Sequence, residues 1–210
     1  MLSNKILGGG FRRASALGLT IAIGIGALAG CSAGTTATHS ASTSGGGSTN
    51  IGVPEGAAKE QATLAQEIKA EGGEKTAGAW RIAYIVEGAE PWYLADGGKQ
   101  VLREPAAGET HHIEIIPIEA ATGRIIPEVP IRLEVIDPSG KVVDAKELNF
   151  YYAEFFHYAN NFAIPQAGTY TLRATLGAPT FLRHGEKGHE PALADGATAT
   201  FTGVKLEPTT

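Results

Sequence analysis

Sulfur is nearly missing from this chain: Cys31 is its one cysteine and Met1 its one methionine in 210 residues. A single thiol excludes any internal disulfide, and the body of the protein has no thioether to offer a soft metal. An apolar run from Ala16 to Ala29 is too short and too rich in glycine to make a comfortable membrane span. Basic charge is also scarce, with 17 Lys and Arg against 22 Asp and Glu, which argues against nucleic acid as a partner. No GxSxG elbow supports a Ser/His/Asp hydrolase, and no glycine-rich phosphate loop supports a nucleotide ligand. Strict metal motifs such as HExxH are absent as well.

What is present begins with an export signal. Lys5, Arg12 and Arg13 form a basic region, the apolar run follows, and the segment closes on "LAGC", Leu28 to Cys31. That ending looks like a bacterial lipobox, in which the cysteine receives lipid and becomes the new N-terminus. A lone cysteine here is either that lipid acceptor or a bystander in a cleaved signal, and the layout favours lipidation of Cys31. The Arg12–Arg13 pair also resembles, more loosely, a twin-arginine signal. Removing residues 1–30 takes away three basic residues and no acidic one, so the net charge moves from −5 to −8. Such a balance suits attraction of cations. The expected location is the cell envelope, outside the cytoplasm, with the protein held to a membrane by lipid.

The remainder divides by texture. Residues 31–55 read as the lipidated Cys31 and a Ser/Thr/Gly-rich flexible tether in which His39 is solvated. Residues 56–74 read as a short helix and linker, with Leu64 and Ile68 one turn apart before Gly72–Gly73, and with little bearing on the chemistry. Residues 75–210 read as one β domain. Strand-like runs cover 79–88, 110–120, 129–137, 141–152, 156–165, 168–177 and 198–208, separated by turn signals such as "DPSG", "PQAG" and "ADGA". About seven strands without intervening helices argue for an all-β, immunoglobulin-like antiparallel β-sandwich.

Five of the six histidines lie between 111 and 189. In "HHIEI", His112 and Glu114 are two apart, so on a strand they leave the same face about 7 Å apart and can reach one ion. His111 points the other way, with Ile113 and Ile115. The pattern alone fits a polar outer face as well as it fits a site. In "NFYYAEFFHYANNFAIP", His157 sits among Phe155, Phe156 and Tyr158, where an unpaired polar group would be costly. Glu154 stands three residues before it and could share a ligand if the chain bends there. In "PTFLRHGEKGHEPAL", a loop could present His184 at the mouth of the sandwich, while Glu186 and His189 read as solvated.

Taken together and in order, "HHIEIIPIEAATG", "FFHYANNFAIPQAGTYTLRATL" and "FLRHGE" resemble the bacterial iron-transport lipoprotein family. These are periplasmic, immunoglobulin-like metal-binding proteins that accompany high-affinity iron permeases. The likeness spans roughly residues 79–207. It implies His112, His157 and His184 as copper-type ligands, with Glu114 and Glu154 as acidic members serving iron. It further implies an iron permease of the cytoplasmic membrane as partner, and a homodimer. One departure matters: the family pattern has a methionine a few residues before the His-Tyr segment, where Phe150 and its neighbours stand. Without sulfur, the ligand types favour a divalent ion, Cu(II) or Fe first, with Mn or Zn also accommodated. Two other readings use the same residues differently: a metal-dependent Fe(II) oxidase, and a non-catalytic immunoglobulin-like structural or adhesive module.

Overall fold

A computed structural model describes residues 52–207 of the chain; the signal, Cys31 and most of the tether, His39 included, lie outside the described residues. Among the described residues, one helix, α1 (Glu55–Glu71), leads into eleven strands. These are β1 (Gly72–Ala77), β2 (Trp80–Gly88), β3 (Trp92–Asp96), β4 (Lys99–Arg103), β5 (His111–Glu119) and β6 (Ile131–Ile136). They continue as β7 (Val142–Glu147), β8 (Asn149–Tyr152), β9 (Phe156–Phe162), β10 (Gly168–Leu176) and β11 (Ala197–Leu206). Every pairing is antiparallel. One sheet runs β1-β2-β5-β9-β8, the other β11-β10-β6-β7, and β3-β4 form a separate hairpin. The fold is the all-β antiparallel sandwich the strand pattern predicts. Among the described residues, no helix is long and apolar enough to cross a membrane.

Alternation along the strands builds the sandwich. In β6, Ile131, Leu133 and Val135 are buried while the residues between them are not, as expected of a strand with one face on a core and one toward water. They meet Leu172, Ala174 and Phe201 of the same sheet and Ile82, Ile113, Ile115, Tyr158 and Phe162 of the other. The central strand β5 differs, because eight of its nine residues are buried on both faces. Its inner face belongs to the sandwich core. Its outer face is covered by α1, where Leu64 and Ile68 pack on Ala83, Ile85, Ile116, Ile118 and Phe155. Burying these two helix side chains contributes about 1.5–3 kcal/mol each, which is modest support for a helix of 17 residues.

Three details depart from the sequence-based expectations. The helix stops at Glu71, and Gly72–Glu74, read as linker, open β1 instead. Gly72 fits there because a Cβ would lie 1.9 Å from the carbonyl oxygen of Tyr84. The run 141–152 breaks into β7 and β8, which belong to different sheets, so the chain crosses the sandwich at Leu148. Finally, the β3-β4 hairpin was not foreseen, although "DGG" between two apolar segments signals it. Gly97 and Gly98, at φ 54° and 78°, supply the left-handed turn that a two-residue hairpin loop needs.

Candidate metal centre

Register brings the candidate ligands together. β5 pairs with β9 so that His112 lies opposite Asn161 and Glu114 opposite Ala159. His157 is then one strand over and two residues further along, on the same outer face. His112, Glu114 and His157 each offer a ligand atom within 4.8 Å of the other two, and all three are buried.

The two imidazoles are held alike. Asn161 accepts at Oδ1 from the Glu90 backbone N–H (3.2 Å) and donates from Nδ2 to the Glu90 carbonyl (2.8 Å), which fixes the orientation of its amide. His112 therefore donates from Nδ1 to Asn161 Oδ1, at 2.9 Å. His157 donates from Nδ1 to the carbonyl of Phe155, at 3.3 Å. In both rings the proton sits on Nδ1 and the Nε2 lone pair remains for a metal, the arrangement in which a ligand histidine is oriented through its other nitrogen. His157 Nε2 lies 3.4 Å from Glu114 Oε1. The second oxygen, Oε2, is buried without a hydrogen-bond partner. A buried carboxylate oxygen left unmatched is costly, and a cation would satisfy it.

Charge around the site is one-sided. Burial pushes Glu114 up to about 8, and the nearby Glu87, Glu67, Glu90 and Glu154 push it the same way. Burial also pushes His157 down to about 4, with smaller contributions from neighbours, and holds His112 below its ordinary value. At neutral pH the imidazoles are uncharged and Glu114 carries a proton, so its contact with His157 is not an ion pair. Glu87 and Glu90, both raised chiefly by burial, act on one another beside His112. The metal-free centre thus has two ready nitrogen donors and one displaceable proton.

Aromatic rings close one side. Tyr151 stacks on His157 at 5.5 Å between centroids and 10° between planes, and meets His112 edge-on at 5.7 Å. Trp92 packs against Tyr151 at 5.6 Å, and the Arg103 guanidinium, paired with Glu109 at 2.7 Å, covers the Trp92 ring at 4.1 Å. A cleft of about 390 Å³ lined by Glu90, Trp92, Tyr93, Tyr151, His112 and His157 leads to the ligand atoms.

The other two sequence candidates lie elsewhere. Glu154 is exposed in the bend between β8 and β9, on the rim, where it shares a cleft with α1 residues and raises Glu114 without joining the close-set donors. His184 is exposed in the β10–β11 loop. Its neighbour Arg183 donates to the carbonyls of Pro179, Ala192 and Leu193, and lines a pocket with Glu119 and Arg124. That pocket sits at the far end of β5 from His112, seven residues or about 23 Å away, so His184 does not reach the centre within one chain. Sequence reasoning also missed Asn161, Glu87, Glu90 and Tyr151. Asn161 was accessible in principle, since it shares strand parity with His157. The helix Glu67, on a segment expected to have little bearing on the chemistry, is placed close enough to raise Glu114.

No family model matches the chain, and no curated protein matches it in sequence. Solved structures do match. A copper-bound variant of P19 from Campylobacter jejuni is 18% identical, with TM-score 0.53, covering 67% of this chain and 98% of its own. A copper-bound variant of FetP from uropathogenic Escherichia coli is 14% identical, with TM-score 0.52, covering 66% and 92%. At these identities the likeness is one of fold, and it is consistent with the bacterial iron-transport lipoprotein family that the sequence motifs resemble.

Proposed function

We propose that this chain is a lipid-anchored, extracytoplasmic metal-binding protein of the copper/iron class that supports high-affinity iron uptake with a membrane permease. One observation carries the reading: two buried imidazoles, each with Nδ1 tied to a carbonyl oxygen and so with Nε2 left for a metal, stand within reach of one buried Glu114 carboxyl that has an unpartnered oxygen. Three donors of type N, N and O from rigid strands suit Cu(II), Fe, Mn or Zn better than Cu(I), because the described residues contain neither Cys nor Met. Both structural neighbours named above are copper-bound variants.

Within this reading His112, Glu114 and His157 hold the ion, and Glu154 gathers cations at the rim. His184 joins the ligands only from a second copy, in the homodimer that the resemblance implies. Cys31 carries the lipid. Titrating the metal-free protein with Cu(II) should give one tight site per chain, with a paramagnetic spectrum showing nitrogen coupling from two imidazoles. A protein that binds no copper at neutral pH, or binds it without nitrogen coupling, contradicts the proposal. Cys31→Ser should move the protein from the membrane fraction to the soluble one with its β spectrum unchanged; retention on the membrane removes the lipid anchor.

A further inference from the structure

The helix α1 meets the sheet with a mixed face. Glu60, Thr63, Leu64, Glu67, Ile68 and Glu71 recur at three- and four-residue spacing, and so lie along one side of the helix. Only Leu64 and Ile68 of these are buried, against the apolar half of the outer sheet face. The glutamates face the other half. Glu71 lines a groove of about 820 Å³ together with Glu87 and Glu90, on one flank of the site. Glu60 lines a second groove with Glu154, on the other flank. Glu67 stands between them, half-buried, and is raised by burial and by Glu87, Glu154 and Glu71. Lys205 and Lys59 line the two grooves, yet among the described residues neither makes an ion pair with these carboxylates.

A small apolar contact therefore holds together two surfaces of the same charge. Local opening of such an element needs little free energy, and one added charge of opposite sign changes it measurably. We infer that α1 is a metal-responsive latch: a divalent cation at His112, Glu114 and His157 offsets the repulsion between helix and sheet glutamates and draws the helix Glu55–Glu71 onto the sheet. The ion brings two positive charges against the one carboxylate of Glu114, so the centre becomes net positive where Glu67, Glu87, Glu90 and Glu154 converge. Metal occupancy is thereby felt at the N-terminal edge of the domain, next to the segment that the sequence reads as a tether. This inference rests on the proposed metal site.

Hydrogen exchange on the full chain tests it, with Zn(II) as a redox-inert probe and metal content measured in the same samples. Zn(II) should slow exchange of the 55–71 amides by about five- to tenfold, the size expected of one net unit charge at a partly screened rim, while β10 is unchanged. In the metal-free protein, Glu67→Gln should slow the same amides and shrink the further effect of Zn(II). The exposed Glu71→Gln should act in the same direction and more weakly. If Zn(II) binds one per chain and the helix amides do not respond, the latch is wrong and the metal site stands. If Zn(II) does not bind, both fall. If Glu67→Gln leaves the metal-free helix unchanged or loosens it, the supposed repulsion does not exist and the latch is likewise overturned.

Discussion

Two adjacent histidines of β5 face opposite ways, and they differ in what they leave undone. His111 turns inward; its Nδ1 meets the Thr110 hydroxyl at 2.8 Å and its Nε2 the Glu207 carbonyl at 3.1 Å, so both ring nitrogens are occupied. His112 turns outward and uses only Nδ1, on Asn161. Both are 2% exposed. Burial alone thus does not mark a ligand. A structural histidine closes its hydrogen bonds within the protein, whereas one that keeps a nitrogen open beside an unmatched carboxylate has room for a cation.

The comparison breaks most sharply by mutation. His157→Ala or His112→Ala should weaken Cu(II) binding by about 100-fold or more, since each removes a donor. His111→Ala should leave copper affinity within a few-fold. It should instead lower folding stability by roughly 2–3 kcal/mol, by orphaning the groups that its ring engages. Chemical denaturation and copper competition on the three variants separate the roles. If His111→Ala loses copper as severely as His112→Ala, the distinction between the faces fails.

Acidity sharpens the same contrast. Ligation requires an ionised Glu114, whose carboxyl is pushed up to about 8, and neutral imidazoles, of which His157 is held down to about 4. The competing proton is therefore on Glu114, not on a histidine. Apparent affinity should fall toward tenfold per pH unit below 8, or about 50-fold from pH 8 to pH 6, with about one proton released per ion bound near pH 6.5. A profile flat down to pH 7 and breaking near 6.5 would return the control to the histidines.

Smaller effects follow from the supports. Asn161→Ala frees the His112 ring to turn or change tautomer and should cost about tenfold in copper affinity, with the ligand set unchanged. Glu114 also acts on the metal-free protein. Its folded pKa is raised, so its stabilising contribution is complete below the ordinary carboxylate value of 4.5 and is lost as pH rises through about 8. Glu114→Gln should thus raise the melting temperature of the metal-free protein by about ten degrees at pH 8 and far less at pH 5, while abolishing tight metal binding. Equal melting of the two proteins at both pH values would show that Glu114 is not strained by burial.

Much of this was legible in the residues. Period-two alternation exposed the sandwich strands, and the same period placed His112 and Glu114 on one face, away from His111. What alternation cannot give is register between strands distant in the chain. The meeting of His157 with Glu114 depends on His112 lying opposite Asn161, and no local signal sets that pairing. For the same reason Glu87, across from His112 on β2, and Glu67, on the helix above, were invisible as members of the centre. β1 escaped notice because "GGEKTA" has no apolar period. His184 shows the converse limit: a motif can place a residue in a loop, but only the anchoring of Arg183 decides which end of the sandwich that loop occupies.

The central claim, that His112, Glu114 and His157 form one cation site, is tested most directly by anomalous diffraction at the copper edge from crystals loaded with Cu(II). One strong peak per chain should lie about 2 Å from Nε2 of His112, Nε2 of His157 and a carboxylate oxygen of Glu114. A peak on the loop of His184 and His189 alone, or no peak on the outer face of β5 at full copper loading, would contradict it.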